Sequence, residues 1–247
     1  MNIGVARPSE EELNSVPHYF IASHSVTETV TAGTFEKYAL DTVAELFKAH
    51  DTVVVTGGTG LYIKAFCEGL DQIPETDPAV RDEISRKLGE EGIAWLQEEV
   101  RKKDPRFFAS GEIKNPRRLS RALEVIESTG KSILDFRSGE KAVRPFRIIK
   151  TGIDLPKNIL HENINTRVDR MIDTGLVDEV QSLIAYRHLP ALQTVGYTEI
   201  FAYLDGIYSL DKAIEKIKTN TRQYAKRQMT WFRKDAEITW NPDMEMV

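Results

Sequence analysis

A run of valines in front of a glycine-rich turn constrains the fold of this chain more than any other feature. The run Thr52–Thr56 is β-branched throughout and has no polar alternation, which is typical of a parallel strand covered on both faces. A helical pattern begins at Leu61, so the turn Gly57–Gly60 would lie between the carboxyl end of a strand and the N-terminus of a helix. Ligands bind there in open α/β sheets, and helix N-termini bind anions. The sequence therefore predicts an α/β core with a phosphate site at this turn.

The turn consists of Gly57, Gly58, Thr59 and Gly60. Its amides and the Thr59 hydroxyl are suited to hold a diphosphate, whereas the alternative is a turn that uses glycine only to reach positive φ. The strand-to-helix context favours the phosphate site. The pattern GxxxxGKS or GxxxxGKT occurs nowhere in the sequence, so the turn is not a Walker A loop.

A change in pattern near residue 73 predicts two domains. Prolines and polar residues interrupt the chain there, and from residue 77 to about residue 137 the apolar spacing is helical only. We expect an α/β core of residues 1–72 and 140–247 and an all-helical insertion of residues 73–139. Further elements expected in the core are a strand at 146–152, helices near 157–173, 176–186, 197–204 and 209–233, and a short strand at 238–240.

Composition limits the classes of protein that this chain can belong to. The single cysteine, Cys67, excludes an intrachain disulfide and a cysteine-rich zinc site, and the five histidines lack metal-ligand spacing. A metal is expected only as a hard cation that arrives with phosphates. Because no apolar run is long enough to cross a bilayer and the N-terminus lacks a signal-peptide pattern, we expect a soluble, cytoplasmic protein without a membrane partner. We also expect a monomer.

Positive charge is concentrated near the C-terminus. The segment Lys212–Lys234 holds eight Lys or Arg residues and one acid, within a chain of net charge −5. Aromatic residues such as Tyr224 and Trp231 lie among these cations, and this combination suits phosphates and unstacked bases. The alternative is an amphipathic helix that buries one stripe and leaves its charges in water. Both can hold, with one face packed and Arg222, Lys226 and their neighbours lining a groove.

Two more arginine-containing segments are candidate phosphate contacts. Arg167 lies beside the apolar stripe of a predicted helix, where a guanidinium suits bidentate phosphate binding; the alternative is an ion pair with Asp169 or Asp173. A basic patch, for which the alternative is a solvated helix face, opens a helix of the insertion. It consists of Arg117, Arg118 and Arg121. The segment Gln193–Thr198 is by itself a plain helix entry.

Seven short segments match one known family in order and spacing. They are Ile3–Ser9, Pro17–His18, Gly57–Tyr62, Arg118–Val125, Gly175–Val180, Val195–Tyr197 and Thr221–Arg233. Together they resemble the bacterial-type tRNA dimethylallyltransferases, also called tRNA isopentenyltransferases. The resemblance implies a P-loop NTPase-like parallel sheet core flanked by helices, with an all-helical insertion domain that binds tRNA.

That family transfers a dimethylallyl group from dimethylallyl diphosphate to N6 of the adenosine on the 3′ side of a tRNA anticodon. The resemblance thus implies dimethylallyl diphosphate and the tRNA anticodon stem-loop as partners, with Mg²⁺ carried by the diphosphate. Thr59 and Arg167 would be catalytic and, with Gly57, Gly58 and Gly60, would bind the diphosphate. The residues implied to contact tRNA are Arg81, Arg117, Arg118, Leu119, Ser120, Arg121, Gln193, Thr194, Val195, Gly196, Tyr197, Thr198, Thr219, Asn220, Thr221, Arg222, Gln223, Tyr224, Ala225 and Lys226.

Members of this family also carry a strand, a phosphate-gripping P-loop and a proposed general-base aspartate ahead of the segment that matches Met1–Ser9. This sequence contains none of them, so we expect a sheet edge exposed beside Val53–Val55, weak tRNA binding and almost no catalysis. Turnover of labelled dimethylallyl diphosphate on unmodified tRNA at an ordinary enzyme rate would contradict that expectation.

Two alternative functions remain open at this stage. One is a non-catalytic RNA-binding protein that kept the basic surfaces. The other is an isopentenyltransferase that acts on free adenine nucleotides. The helical insertion and the basic segment Lys212–Lys234 argue against the second alternative, because a small nucleotide needs neither.

Overall fold

The computed structural model describes residues 1–111 and 113–242 and divides into two compact units. The first unit combines Met1–Cys67 with Arg144–Val247, and the second consists of Glu68–Val143. Each unit has its own hydrophobic core. No helix in the described ranges has both the length and the apolar character required to span a membrane.

Helices and two short strands build the first unit. Its helices are α1 (Glu10–Ser15), α2 (Ala32–Leu46), α3 (Gly60–Glu68), α7 (Lys157–Asp173), α8 (Leu176–Ser182), α9 (Tyr197–Leu204) and α10 (Leu210–Phe232), and its strands are β1 (Lys150–Ile153) and β2 (Ile238–Asn241). Short 3₁₀ helices cover Ile184–Tyr186 and Pro190–Leu192. Thus α7 and α9 have the bounds that the sequence predicts, whereas the helix expected at 176–186 ends at Ser182.

The main core of the first unit fixes α10 in place. Helix α10 packs against α7 and α9, and α8 packs against α9. Val168, Leu176, Ile200 and Ile217 are at most 2% exposed in this core. Burial of each such side chain contributes about 1.5–3 kcal/mol before the entropy cost of ordering it. The buried residues Ala213 and Ile217 therefore tie the N-terminal half of α10 to its neighbours.

A smaller core joins α2 to α3. Val43 and Phe66 are buried there, and Val53 and Phe146 pack against them. The half-buried guanidinium of Arg144 donates to the carbonyl oxygens of Ala65 and Phe66, at 2.7 and 2.8 Å. These carbonyls belong to the last turn of α3, where helix oxygens have no partner inside the helix. Arg144 thereby closes the C-terminal end of α3.

The strand predicted at Thr52–Thr56 is wrong. These residues form no strand, and Val54 and Val55 are 80% and 40% exposed. Within the described ranges, β1 and β2 form one parallel pair, in register from Lys150 beside Ile238 onward, and they are the only strands. A strand requires a neighbour that satisfies its backbone groups, and the described residues place none beside Thr52–Thr56. The expected sheet edge at Val53–Val55 is therefore not formed either.

The sheet is thus smaller than the α/β expectation. The strand expected at 146–152 is shorter, because only Lys150–Ile153 has a partner. The described chain is mostly helical, with a parallel sheet of two strands.

The second unit is helical, as its apolar spacing predicts. It contains α4 (Pro78–Lys103), α5 (Pro105–Ser110), α6 (Pro116–Thr129) and a 3₁₀ helix at Ile133–Phe136. Each α-helix begins with proline after a capping side chain, in turn Asp77, Asp104 and Asn115. Gly92 interrupts α4 with φ of 77°, which produces a kink between its two halves. The core between α4 and α6 contains Leu96, Val100, Leu119 and Leu123.

Candidate functional site

The turn before α3 has two exposed residues, Gly57 and Thr59, while Gly58 and Gly60 are half-buried. The Thr59 carbonyl accepts from the amides of Tyr62 and Ile63 at 2.9 and 3.1 Å, which starts the helix. Thr59 itself is exposed, and its hydroxyl has no hydrogen-bond partner among the described residues. The first amides of a helix have no acceptor within it. Neither the hydroxyl nor the first two amides of α3 are therefore occupied by a described residue, and the phosphate site at this turn stays a prediction.

The glycines of this turn have a structural reason that the sequence did not indicate. None of Gly57, Gly58 and Gly60 has φ in the left-handed region, so the alternative of a turn built for positive φ does not apply. A Cβ atom at Gly58 would lie 1.9 Å from Gln228 Nε2, and one at Gly60 would lie 2.3 Å from Trp231 Cδ1. At Gly60 the rigid indole of Trp231 thus leaves no room for a side chain, whereas at Gly58 the end of the flexible Gln228 side chain would have to shift. Both side chains belong to α10, which approaches the turn closely.

A hydrogen bond fixes that approach. Gln228 Nε2 donates to the carbonyl oxygen of Gly58 at 2.9 Å. The two residues are separated by 170 positions in the chain, so no local sequence pattern indicates the contact. The helix that holds the basic segment is therefore in direct contact with the predicted phosphate turn.

Helix α10 presents several cations without acidic partners. Lys212, Lys218 and Arg233 are neutralised by Glu215, Asp169 and Asp154 respectively. Within the described ranges, Arg222, Lys226 and Arg227 form no ion pair with a carboxylate. Arg227 lies over the ring of Tyr224, which is 41% exposed, with 5.7 Å between guanidinium carbon and ring centroid. One face of this segment therefore packs on the core while another combines cations with an aromatic ring, and its contact with RNA stays a prediction.

The predicted tRNA-contacting residues of α10 differ in exposure. Thr219, Gln223, Tyr224 and Lys226 are exposed, and Asn220, Thr221, Arg222 and Ala225 are half-buried. Among the described residues, Arg222 bonds only within its own helix, to the carbonyl oxygen of Lys218 at 3.2 Å and the hydroxyl of Thr219 at 3.4 Å. Its charge therefore remains available to a phosphate.

Arg167 is also without a partner. It lies on α7, is exposed, and forms no hydrogen bond or ion pair with any described residue. The ion pair considered as its alternative is not formed, because Asp169 binds Lys218 at 2.6 Å instead. An unpaired guanidinium is suited to a phosphate, although no contact joins Arg167 to the turn at Gly57–Gly60 in the described structure.

Tyr197 supports the fold instead of facing solvent. Its side chain is fully buried, and its hydroxyl donates to Glu179 Oε1 at 2.5 Å. Glu179 also accepts from the backbone amides of Asn2, Ile3 and Gly4, at 2.7, 2.8 and 3.1 Å. Burial raises the pKa of Tyr197, and the Glu179 carboxylate raises it further. Burial opposes ionisation of Glu179, but its hydrogen bonds outweigh that effect and lower its pKa.

A buried carboxylate, Glu199, binds three of the residues predicted to contact tRNA. Glu199 is 5% exposed and accepts from the amide of Gly196 at 2.8 Å, the hydroxyl of Thr198 at 3.0 Å and the side-chain amide of Asn220 at 2.6 Å. This network joins α9 to α10. At the surface of this segment only Gln193 and Thr194 are exposed, and Val195 is half-buried. Sequence reasoning missed both Glu179 and Glu199, whose only signal is an acid within an apolar helical stripe.

In the second unit too, some of the residues predicted to contact tRNA are exposed and others are buried or bonded within the unit. Arg117 and Arg118 are exposed at the N-terminus of α6, whereas Leu119 is fully buried and Ser120 half-buried. Arg81 and Arg121 both donate to the hydroxyl of Thr76, at 3.1 and 3.0 Å, and both lie near the Glu124 carboxylate. Arg81 is exposed as well, so what separates it from Arg117 and Arg118 is its contact with Thr76 and Glu124.

The described residues offer no ready-made metal site. Residues 1–111 and 113–242 contain no group of three or more His, Cys, Asp or Glu side chains that could hold an ion. Magnesium needs oxygen ligands in octahedral arrangement and often takes them from substrate phosphates and water. A Mg²⁺ ion at the predicted diphosphate site would therefore need oxygens from a bound diphosphate and from water.

Comparison with known proteins identifies the family. The family model described as IPP transferase matches residues 1–235. The tRNA dimethylallyltransferase of Cytophaga hutchinsonii is 45% identical over 240 residues, which cover 97% of this chain and 79% of that relative. tRNA dimethylallyltransferase 1 of Bacteroides thetaiotaomicron is 44% identical over 246 residues, covering 99% and 80%. These relatives define a class of prenyltransferases. The chain belongs to the tRNA dimethylallyltransferase family, which confirms the resemblance of its short segments.

Solved structures agree with this assignment. The tRNA isopentenylpyrophosphate transferase of Bacillus halodurans superimposes with a TM-score of 0.68 at 33% identity, covering 98% of this chain and 77% of that structure. A eukaryotic dimethylallyltransferase described as acting on tRNA gives a TM-score of 0.77 at 21% identity, covering 99% and 65%. The second match supports the fold alone.

Proposed function

We propose that this chain holds part of the site that transfers a dimethylallyl group from dimethylallyl diphosphate to N6 of the adenosine that follows a tRNA anticodon. The weak tRNA binding and the near absence of catalysis expected from its sequence stay predictions. In this reaction the bond between the allylic carbon and the diphosphate oxygen breaks, and a C–N bond forms at N6. One N6 proton leaves to a base, and diphosphate is released. The observation that carries the proposal is that one helix, α10, bears cations that pair with no carboxylate in the described ranges and also contacts the turn Gly57–Gly60.

The turn and Arg167 are assigned to the diphosphate. Thr59 is exposed, and neither its hydroxyl nor the first two amides of α3 have a hydrogen-bond partner among the described residues, so these groups suit the oxygens of a leaving diphosphate. Arg167 is an exposed guanidinium without a partner in the described chain, and it suits bidentate binding of the same group. Mg²⁺ would reach the site bound to the diphosphate, whose charge it would partly neutralise.

Helix α10 is assigned to the RNA. Arg222 and Lys226 would contact phosphates, and the exposed ring of Tyr224 would stack on an unpaired base. Chemistry on N6 requires the target base to leave the stack of the anticodon loop. An aromatic ring among cations is the surface that such an unstacked loop needs.

The second unit is proposed as a tRNA-binding insertion of residues 73–139. Its exposed arginines Arg117 and Arg118 would add phosphate contacts, whereas Arg81 and Arg121 would mainly stabilise the unit through Glu124. We also propose the P-loop NTPase-like arrangement of the core, at present on the family membership alone. The monomeric state and the cytoplasmic location stay predictions.

Salt-dependent binding of an anticodon stem-loop RNA tests the proposal. The double variant Arg222→Ala/Lys226→Ala should bind more weakly, and the slope of log Kobs against log salt should become shallower by about one to two. Lys212→Ala is the matched control, because it lies on the same helix and Glu215 already neutralises its charge. An unchanged slope in the double variant would show that Arg222 and Lys226 belong to a solvated helix face and do not contact RNA phosphates.

Binding measurements with the stem-loop RNA, dimethylallyl diphosphate and AMP separate the alternative functions. Binding of RNA without any binding of dimethylallyl diphosphate would favour a non-catalytic RNA-binding protein. Binding of AMP in preference to the stem-loop would favour an enzyme of free nucleotides.

A further inference from the structure

We infer that Gln228 and Trp231 are positioning residues that hold the diphosphate turn against α10 and so couple RNA binding to diphosphate binding. Neither residue is among the predicted RNA or diphosphate contacts. Gln228 donates to the Gly58 carbonyl at 2.9 Å, and the Trp231 indole occupies the space beside Gly60. This inference rests on the proposed function, because it requires both ligands to bind.

The turn has few other attachments. For residues 52–58, the bond from Gln228 is the only hydrogen bond to another part of the described chain. Val54 and Val55 are exposed, and of the three valines only Val53 packs in a core. A segment with few buried contacts and few hydrogen bonds opens easily. The position of the turn therefore depends strongly on α10.

Helix geometry places the RNA contacts and the turn contacts close together. Tyr224 and Gln228 are four residues apart, and Gln228 and Trp231 are three apart, so all three lie along one face of α10. The rise from Arg222 to Trp231 is about 14 Å, because each helical residue adds about 1.5 Å. The helix is continuous across this distance. A ligand that orders the Tyr224 region therefore also restrains the two residues that hold the turn.

The consequence is reciprocal coupling between the two ligands. If RNA restrains α10, the turn is already ordered when the diphosphate binds, and the diphosphate binds more tightly. Linkage then requires that the diphosphate tighten RNA binding by the same factor. The Gln228 side chain transmits part of this effect, because it is the hydrogen-bonded connection between the helix and the turn.

The experiment measures that factor in three proteins: the full chain, Gln228→Met and Thr230→Ala. Methionine keeps the length of the side chain but cannot donate to Gly58. Thr230 is the matched control, since it is exposed on the same helix and its hydroxyl bonds only the Lys226 carbonyl, at 2.9 Å. The affinity for dimethylallyl diphosphate with magnesium is measured by calorimetry with and without a saturating anticodon stem-loop RNA, and the RNA affinity is measured with and without the diphosphate.

In the unaltered chain, each ligand should tighten the other by at least about five-fold, a typical size for coupling between sites. Gln228→Met should reduce that factor to less than about two-fold and leave the affinity for RNA alone unchanged, whereas Thr230→Ala should keep the full factor. A merely structural role of Gln228 would lower stability without changing the factor, and that result would overturn the inference.

The coupling experiment also distinguishes failure of the inference from failure of the proposed function. Two ligands that bind independently in the unaltered chain would overturn the coupling and leave the proposed function intact. A chain that binds neither ligand would overturn the proposed function itself.

Discussion

Replacing Tyr197 with phenylalanine should loosen the attachment of the N-terminal residues. The substitution removes only the hydroxyl that donates to Glu179 Oε1 at 2.5 Å, and the aromatic ring stays in its buried position. Glu179 would still accept from the amides of residues 2 to 4. The variant therefore removes one donor to the Glu179 carboxylate, which keeps its backbone donors.

The size of the effect follows from the charge on the acceptor. A hydrogen bond to an ionised group contributes about 1.5–3 kcal/mol, and removal of a donor costs less when the acceptor keeps other partners. We expect a loss of about 1.5–2 kcal/mol in the free energy of unfolding. For a chain of this length that corresponds to a decrease of roughly 3–8 °C in Tm.

Denaturant titration and hydrogen exchange test this prediction. Tyr197→Phe should lower the unfolding midpoint and accelerate exchange of the amides of Ile3 and Gly4. Tyr203→Phe is the matched control, because Tyr203 lies on the same helix and its hydroxyl has no hydrogen-bond partner in the described chain. An unchanged midpoint together with unchanged exchange at these two amides would refute the anchoring role of the pair.

Three further perturbations have defined outcomes. Folding lowers the pKa of Glu179, so the stability that its carboxylate contributes is complete above the unfolded-state pKa of about 4.3 and is lost as the pH falls through the lower folded-state pKa. The difference in stability between the unaltered chain and Glu179→Gln should therefore close in acid titrations and not at neutral pH. Thr59→Ala and Arg167→Gln should leave Tm unchanged but weaken the binding of dimethylallyl diphosphate, since neither side chain has a partner within the described ranges; a decrease in Tm with unchanged binding would assign them to the fold. Gly60→Ala should cost about 1–3 kcal/mol in denaturant titrations by crowding Trp231, and a background of Trp231→Ala should remove most of that cost.

Local patterns predicted the helices well because helix formation depends on near neighbours. Apolar spacing, a preceding proline and a glycine at position 196 set the bounds of α7 and α9, and all these signals lie within a few residues of the helix ends. The family also followed from sequence, since several short segments agree in order and spacing. Local patterns could not predict the state of Thr52–Thr56, because a strand depends on partners elsewhere in the chain.

The roles of individual site residues were harder to predict for the same reason. Tyr197 is surrounded by small and polar residues that suggest an exposed loop, yet its hydroxyl bonds Glu179 and its ring is fully buried. The glycines at 58 and 60 suggested a phosphate turn, and their sequence context gave no sign of Gln228 and Trp231. Charge on α10 was predictable from composition, whereas the absence of acidic partners for Arg222 within the described ranges required coordinates.

Photochemical cross-linking tests the central claim, that α10 is an RNA-binding surface beside the phosphate turn. An anticodon stem-loop RNA with a photoreactive base on the 3′ side of the anticodon would be irradiated with the chain, and cross-linked peptides would be identified by mass spectrometry. This claim predicts that cross-links concentrate in Thr219–Lys226, that Tyr224 is among the modified residues, and that excess unmodified stem-loop suppresses them. Cross-links spread over other surfaces of the protein, with none on α10, would contradict it.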